Sequence, residues 1–220
     1  MSDQPETLTI SVADDVKTKD VPPGGSASNE VPAYYIAAAE RRVPAHNVKS
    51  RWVMESDIPS VVAEAEILLT LCKLPSGHYH GAPTLSHTQI NDKEPLRFFV
   101  MNNGIIIINP VIINHTKVPT LQTEGCLAYP DRAPINLVPR FNKITITFQT
   151  IIDPEKNGKL MLSAPVTEEF NGRMAQMFQH ELSHLNGFNI YDTGYSPKNS
   201  VLFGDGVVDE NEIKRLYEFK

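Results

Sequence analysis

The sequence predicts an α+β fold in which antiparallel strands pack around one long helix. Two observations support this prediction. Runs of β-branched and aromatic residues, separated by short turn signals, fill the middle of the chain, and a long helical pattern follows from about residue 167. Strands that come before a helix, rather than alternating with helices, favour antiparallel pairing. We therefore expect antiparallel sheets with this helix at their centre.

The composition is that of a globular chain with a single core. Hydrophobic residues make up 41% of the 220 positions and charged residues 21%, which excludes collagen-like, coiled-coil and wholly disordered chains. The longest apolar stretch, 105–113, is interrupted by Asn109 and Pro110 and is far shorter than the roughly 20 residues of a spanning helix. Because the net charge is −6, we expect neither membrane nor direct nucleic-acid binding.

The N-terminal segment differs from the rest of the chain. Residues 1–33 are rich in polar and acidic residues, so we expect a flexible tail in which only Leu8–Val12 resembles an edge strand. This segment lacks the apolar run of a secretory signal, and its acids are atypical of transit peptides, so we expect a cytoplasmic protein. Residues 34–220 are expected to form one domain. Its cysteines, Cys72 and Cys126, are too few for a disulfide scaffold.

The first predicted elements are a helix and two strands. Apolar residues recur at spacings of three and four from Asp57 to Leu74, behind a cap at Ser56 or Asp57, which predicts an amphipathic helix. Leu96–Met101 and Gly104–Ile113 are predicted strands joined by a short turn.

A second pair of strands and a second helix follow. Ile144–Ile152 alternates apolar and polar residues, and Asn157-Gly158 before Lys159–Ala164 is a strong hairpin signal. The second helical pattern begins at Thr167 and stops at Asn186-Gly187. A short helix is expected at Glu210–Phe219.

Within the second helix, His180 and His184 are four residues apart and share one face. This spacing suits two imidazoles that bind one metal ion. Glu181 is turned about 100° away, where its carboxylate can reach a water on that metal. The alternative is a helix with exposed histidines and a solvated glutamate.

A catalytic metal site needs a third protein ligand. One class of metalloproteases places a third histidine six residues after the second, but Ile190 stands there. Another class uses a glutamate about twenty residues downstream, where the chain has Gly204 with acids nearby at Asp205, Asp209, Glu210 and Glu212. Cys126 is the better candidate because its thiolate is a strong soft ligand and Gly125 permits close backbone approach. A buried structural cysteine is the alternative.

Two motifs together resemble the peptide deformylase family. Glu124-Gly125-Cys126-Leu127 is similar to its E-G-C-L segment, and Gln179–His184 to its Q-H-E-x-x-H helix. The likeness covers about residues 40–195. The family's glycine-rich motif is only partly matched by Leu85–Gln89: Ala82 and Thr84 stand where glycines are usual, next to Pro83, and Ala128 replaces a usual serine. At His87, which takes a small-residue position, we expect a solvent-facing side chain, with a narrowed pocket as the alternative.

The resemblance implies a metal-dependent hydrolase that removes the formyl group from the N-terminal methionine of nascent polypeptides, met at the ribosome. It implies one divalent ion per chain, Fe(II) by expectation and Zn, Ni or Co as substitutes, held by Cys126, His180 and His184. Glu181 would carry the proton, while the Gln89 side chain and the Leu127 backbone N–H would stabilise the oxyanion. The domain 34–220 would then be catalytic.

Four residues are candidates for substrate binding. Leu85, Met174 and Met177 are apolar and near the motifs, so they are candidates to receive a methionine side chain, with core packing as an equally weighted alternative. Gly125 is the fourth. Two other functions stay open: an HExxH zinc metalloprotease, and a catalytically decayed metal-binding relative that binds nascent chains.

Overall fold

Five antiparallel strands form the main sheet of the computed structural model, which describes residues 48–74, 79, 81–128 and 135–190. The sheet order is β1-β2-β3-β6-β9, and β4-β5 and β7-β8 form two smaller sheets. The strands are β1 (Thr84–Ser86), β2 (Phe98–Met101), β3 (Ile106–His115), β4 (Pro119–Glu124), β5 (Ile135–Phe141), β6 (Lys143–Gln149), β7 (Ile151–Ile152), β8 (Met161–Leu162) and β9 (Val166–Asn171). The α-helices are α1 (Ile58–Lys73) and α2 (Gly172–Leu185), and short 3-10 helices occupy Glu55–Asp57 and His87–Gln89. The predicted mixture of helices and antiparallel sheets is confirmed.

Helix α1 confirms the first predicted helix, but its start is built differently. Asp57 is the N-cap residue, yet its side chain makes no capping bond to α1. The carboxylate instead accepts hydrogen bonds from Arg51 at 2.7 and 2.8 Å and from the Met54 N–H at 2.8 Å. The apolar face of α1 is buried along its whole length.

The main sheet separates two hydrophobic cores. Phe98 and Val100 of β2 belong to the core that contains α1, whereas Phe99 between them belongs to the core that contains α2. A strand that is buried on both faces has a continuous apolar sequence. This explains why β2 and β3 have nearly unbroken apolar runs, and both predicted strands are confirmed with shifted ends.

The second predicted strand pair is confirmed in part. Ile144, Ile146 and Phe148 of β6 are buried on one face, as their alternation predicts. The predicted strand 144–152 is divided at position 150, and only its end, β7, pairs with β8 across the loop that contains Gly158. Gly158 has a φ of +84°, a left-handed conformation that glycine adopts without strain.

Helix α2 begins five residues later than predicted. Residues 167–171 belong to β9, which pairs with β6 from Phe148↔Val166 to Lys143↔Asn171. Residues 167–171 therefore make their backbone hydrogen bonds with β6, and the helix begins only after this pairing ends. The predicted end is confirmed: α2 stops at Leu185, and Gly187 follows with a φ of +81°.

Four strands were not predicted: β1, β4, β5 and β9. They are short or polar or contain proline, so they lack a clear strand pattern.

The expected tail 1–33, its edge strand Leu8–Val12 and the helix Glu210–Phe219 lie outside the described residues. Among the helices that are described, none is long and apolar enough to cross a membrane.

Candidate active site

Three side chains with metal-binding atoms meet between β4 and α2. Cys126 follows the end of β4, and His180 and His184 lie one helical turn apart on α2. The Nε2 atom of His184 lies 3.3 Å from Cys126 Sγ and 3.3 Å from His180 Nε2. All three candidate ligand atoms lie within 4.8 Å of one another.

The donor set and its spacing fit one metal ion. Ligand atoms about 2.0 to 2.3 Å from a tetrahedral ion lie about 3.3 to 3.6 Å from each other, and His184 Nε2 lies 3.3 Å from each of the other two donors. One thiolate and two imidazoles are ligands that suit borderline and softer divalent metals. The structure therefore brings the sequence-predicted ligands Cys126, His180 and His184 together.

Glu124 and Arg140 lie behind His180. Arg140 donates from Nε to Glu124 Oε1 at 2.7 Å and from Nη2 to Oε2 at 2.8 Å, and both side chains are buried. The same Oε2 accepts a hydrogen bond of 3.0 Å from His180 Nδ1. Because Nδ1 donates to Glu124, Nε2 is the ring nitrogen that faces the cluster, and it can bind a metal ion once it has lost its proton.

The charges around His180 favour a cation. Burial alone would lower its pKa, but hydrogen bonds with Cys126 and Glu124 outweigh burial and raise the pKa of His180 to about 10. Burial alone would raise the pKa of Glu124, but the charge and hydrogen bonds of Arg140 hold that pKa well below its usual range. The carboxylate therefore stays ionised beside the cluster, and this environment attracts positive charge.

Glu181 has one engaged and one unengaged carboxylate oxygen. Its side chain is buried, and Oε1 accepts a hydrogen bond of 2.7 Å from Thr84 Oγ1. Oε2 is also buried and has no hydrogen-bond partner among the described residues. Burial raises the pKa of Glu181. A buried oxygen without a partner is costly, which suggests that it serves a ligand or a proton.

Gln89 lies in the short 3-10 helix that follows β1. Its Oε1 accepts hydrogen bonds from the Ser86 backbone N–H at 2.8 Å and from Ser86 Oγ at 3.3 Å. This arrangement leaves the amide nitrogen of Gln89 to donate. Leu127, the second predicted oxyanion residue, is exposed and directly follows Cys126.

A cavity of 590 Å³ runs past these residues. Its walls include the sequence-predicted residues Leu85, Gln89, Gly125, Leu127, Met177, His180 and Glu181. Met174 is not among its lining residues, because this side chain packs half-buried against the core beside α2. The cavity also extends along β4, where Thr120 and Gln122 line it.

His87 departs from its expected position. The expectation of a solvent-facing side chain is wrong: His87 is completely buried and stacks on Phe98 with ring centroids 4.7 Å apart. The Leu96 N–H donates to Nδ1 at 2.7 Å, and Nε2 contacts the Glu64 carboxylate of α1. His87 therefore fills the space between α1 and β2, and it does not line the cavity.

Sequence reasoning assigned no contact to Thr84 or Arg140, although both line the cavity. The contact of Arg140 could have been predicted from the sequence, since a cation that follows Val138-Pro139 in an apolar strand needs a buried partner. For Thr84, the sequence had no feature that predicts its contact, apart from a threonine where the resemblance leads us to expect glycine.

Comparison of the chain with known proteins identifies its family. The family model described as polypeptide deformylase matches residues 79–200, which is more than half of the chain. The chain belongs to the peptide deformylase family.

Individual members of the family support this assignment. The peptide deformylase of Thermotoga neapolitana is 32% identical over 118 residues, which are 52% of this chain and 63% of the relative. The chain thus matches somewhat less than two thirds of that relative's length. The crystal structure of peptide deformylase from Thermotoga maritima is 26% identical, with a TM-score of 0.54 over 70% of this chain and 93% of the other. The crystal structure of the Thermus thermophilus enzyme is also 26% identical, with a TM-score of 0.55 over 80% and 92%.

Proposed function

We propose that this chain hydrolyses the formyl amide at the N-terminal methionine of nascent polypeptides. The observation that carries the proposal is the buried, unpartnered Oε2 of Glu181 beside the cluster of Cys126, His180 and His184. Amide hydrolysis needs a group that takes a proton from water and returns it to the leaving amine. Glu181 is the only described acid with a free buried oxygen at this cavity.

Cys126, His180 and His184 would hold one divalent metal ion. Fe(II) is the expected ion, and Zn, Ni or Co are substitutes that the same donors accept. When bound, the ion would supply Lewis acidity toward water and toward the formyl oxygen. Glu124 and Arg140 would orient His180 for that role, since the partner of the second imidazole nitrogen fixes the ring and its tautomer.

Glu181 would move the proton. Its Oε2 accepts the proton of the water that attacks the formyl carbon and then donates it to the methionine nitrogen as the C–N bond breaks. Because the carboxylate is buried, its raised pKa keeps it a stronger base than an exposed glutamate. Formate and a free N-terminal methionine are the products.

Gln89 and Leu127 would stabilise the negative oxygen of the tetrahedral state. Ser86 engages Gln89 Oε1, so the amide group of Gln89 has its nitrogen directed to donation. The Leu127 backbone N–H, next to Cys126, is the second proposed donor. Fixed donors of this kind stabilise the transition state because they need no reorganisation when charge develops.

The substrate would lie in the cavity in an extended form. Leu85, Gly125 and Met177 line the proposed methionine pocket. Among the described strands β4 pairs only with β5, so its other edge offers backbone groups for an added strand. Backbone pairing of this kind accepts many sequences after the first residue. Nascent chains at the ribosome in the cytoplasm are the proposed partners, and neither nucleic acid nor membrane binding is part of this proposal.

A comparison of three peptides tests this function. We expect the purified chain to release formate from a formyl-methionyl tripeptide. It should cleave neither the acetylated analogue of that tripeptide nor the internal bonds of an unblocked peptide. Cleavage of internal bonds would favour the metalloprotease, and metal binding without any hydrolysis would favour a decayed relative. The 3.3 Å contact between Cys126 and His184 favours the deformylase, because the protease requires a downstream acid as its third ligand.

A further inference from the structure

Thr84 lies in direct contact with the proposed proton carrier, Glu181. Its hydroxyl donates to Glu181 Oε1 across 2.7 Å, and the two residues are 97 positions apart in the chain. Thr84 is 7% exposed and Glu181 is 3% exposed, so water does not compete strongly for this bond. Hydrogen bonds to a charged group in such surroundings are among the strong ones.

The contact distinguishes the two oxygens of Glu181. Oε1 is bound to Thr84, whereas Oε2 has no partner among the described residues. Without the hydroxyl the carboxylate would lose the bond that holds Oε1 and could rotate about its last torsion, which is broad in glutamate. Thr84 therefore determines which oxygen is presented for proton transfer.

The position of Thr84 is itself well fixed. It is the first residue of β1 and pairs with Met101 of β2, within the main sheet. A β-branched side chain has few χ1 rotamers, so a threonine in a strand holds its hydroxyl in one direction. A strand of the main sheet thus carries the donor, and helix α2 carries the acceptor.

We propose that Thr84 is a positioning residue that orients Glu181 for proton transfer, an inference that rests on the proposed function. Its contribution should appear in turnover rather than in substrate binding, because the hydroxyl acts through Glu181 and only proton transfer depends on the orientation.

Two substitutions at Thr84 separate the hydroxyl from the shape of the side chain. Thr84→Val keeps the shape and removes the donor, and we expect kcat to fall by about tenfold to a hundredfold, the range for losing one hydrogen bond to a charged group. KM and metal content should change by less than about twofold. Thr84→Ser keeps the donor and should recover most of the lost kcat. Thr145→Val, a half-buried threonine of β6 that does not line the cavity, is the matched control for a strand threonine.

A structural readout makes the test independent of activity. Crystal structures of the wild-type chain and of both variants should show one Glu181 orientation with Thr84 or Ser, and two or more with Val. Wild-type kcat in a folded, metal-loaded Thr84→Val protein would overturn the proposal, as would a Ser variant as impaired as Val. An unchanged, single Glu181 orientation in Thr84→Val would also overturn it. If wild-type protein released no formate, the proposed function would fail, while the Glu181 orientations would still decide the role of Thr84.

Discussion

Glu124 accepts a hydrogen bond from His180, with 3.0 Å between Oε2 and Nδ1, while Arg140 binds both oxygens of the same carboxylate. This contact fixes the ring of His180 and leaves Nε2 directed toward Cys126 and His184. The geometry of the proposed metal site therefore depends on a residue that does not itself bind metal.

Substitution of Glu124 should weaken metal binding. We expect Glu124→Gln to lower metal affinity by about tenfold to a hundredfold, because a neutral amide holds the imidazole less firmly than a carboxylate does. A chelator competition measures the affinity, and Glu168→Gln on exposed β9 is the matched control. Equal affinity in the two variants would contradict a supporting role for Glu124.

The proposed ligands and the proposed base should differ in what they lose. Cys126→Ala and His184→Ala should lose metal together with activity, because each removes one of three donors. Glu181→Gln should keep one ion per chain and lose about 10² to 10⁴ in rate, since only proton transfer is removed. Cys72→Ala removes the other buried cysteine, which packs in the core beside α1, and serves as the control. Full metal content in Cys126→Ala would contradict the assignment of three ligands.

Gln89 should affect turnover more than binding. We expect Gln89→Ala to lower kcat by about 10² to 10³ with little change in KM, because the proposed donor acts on charge that develops only in the transition state. The variant also loses the bonds from Ser86 to Oε1, so rates must be corrected for the folded fraction. Wild-type turnover of the folded variant would remove Gln89 from the oxyanion site.

The two helices were predictable to different degrees. The apolar residues of α1 recur at helical spacing because they are the ones buried in the core, so the ends of α1 are close to those predicted. The start of α2 was not predictable, because Thr167–Asn171 suits a strand or a helix and only pairing with β6 decides between them. Strands β4 and β5 likewise depend on contacts with distant residues rather than on local pattern.

The candidate site shows the same division. The four-residue spacing of His180 and His184 already indicates a shared face, and thiolate chemistry together with the resemblance indicated Cys126 as the third ligand. The partners that lie apart in sequence were not predictable. Thr84 meets Glu181 only because the main sheet and α2 bring them together, and Arg140 meets Glu124 only because β4 pairs with β5. His87 was misjudged for a related reason, since a buried histidine needs partners that the sequence does not reveal, here Glu64 and the Leu96 N–H.

The ion pair at the start of α1 should make stability depend on pH. Hydrogen bonds from Arg51 lower the pKa of Asp57 to about 2. A lowered pKa stabilises the folded state above the unfolded value of about 3.9 and loses that contribution as pH falls toward 2. We expect Asp57→Asn to reduce the free energy of unfolding near neutral pH by up to about 1 kcal/mol, because the Arg51 side chain is 53% exposed and water screens the pair.

Urea titrations of wild type and Asp57→Asn between pH 7 and pH 3 measure this difference. It should be constant above about pH 5 and shrink at lower pH. Asp92→Asn, at an exposed position, is the control. A difference that grows on acidification would contradict the direction of the Asp57 pKa shift.

The most direct test of the account is a metal titration that follows formate release. The wild-type chain is freed of metal with a chelator and given Fe(II) without oxygen, or Zn, in steps, with a formyl-methionyl tripeptide as substrate. We expect formate release to rise in proportion to bound metal up to one ion per chain, and Glu181→Gln to bind the same ion without releasing formate. Formate release that does not depend on metal, or that persists in metal-loaded Glu181→Gln, would contradict the account.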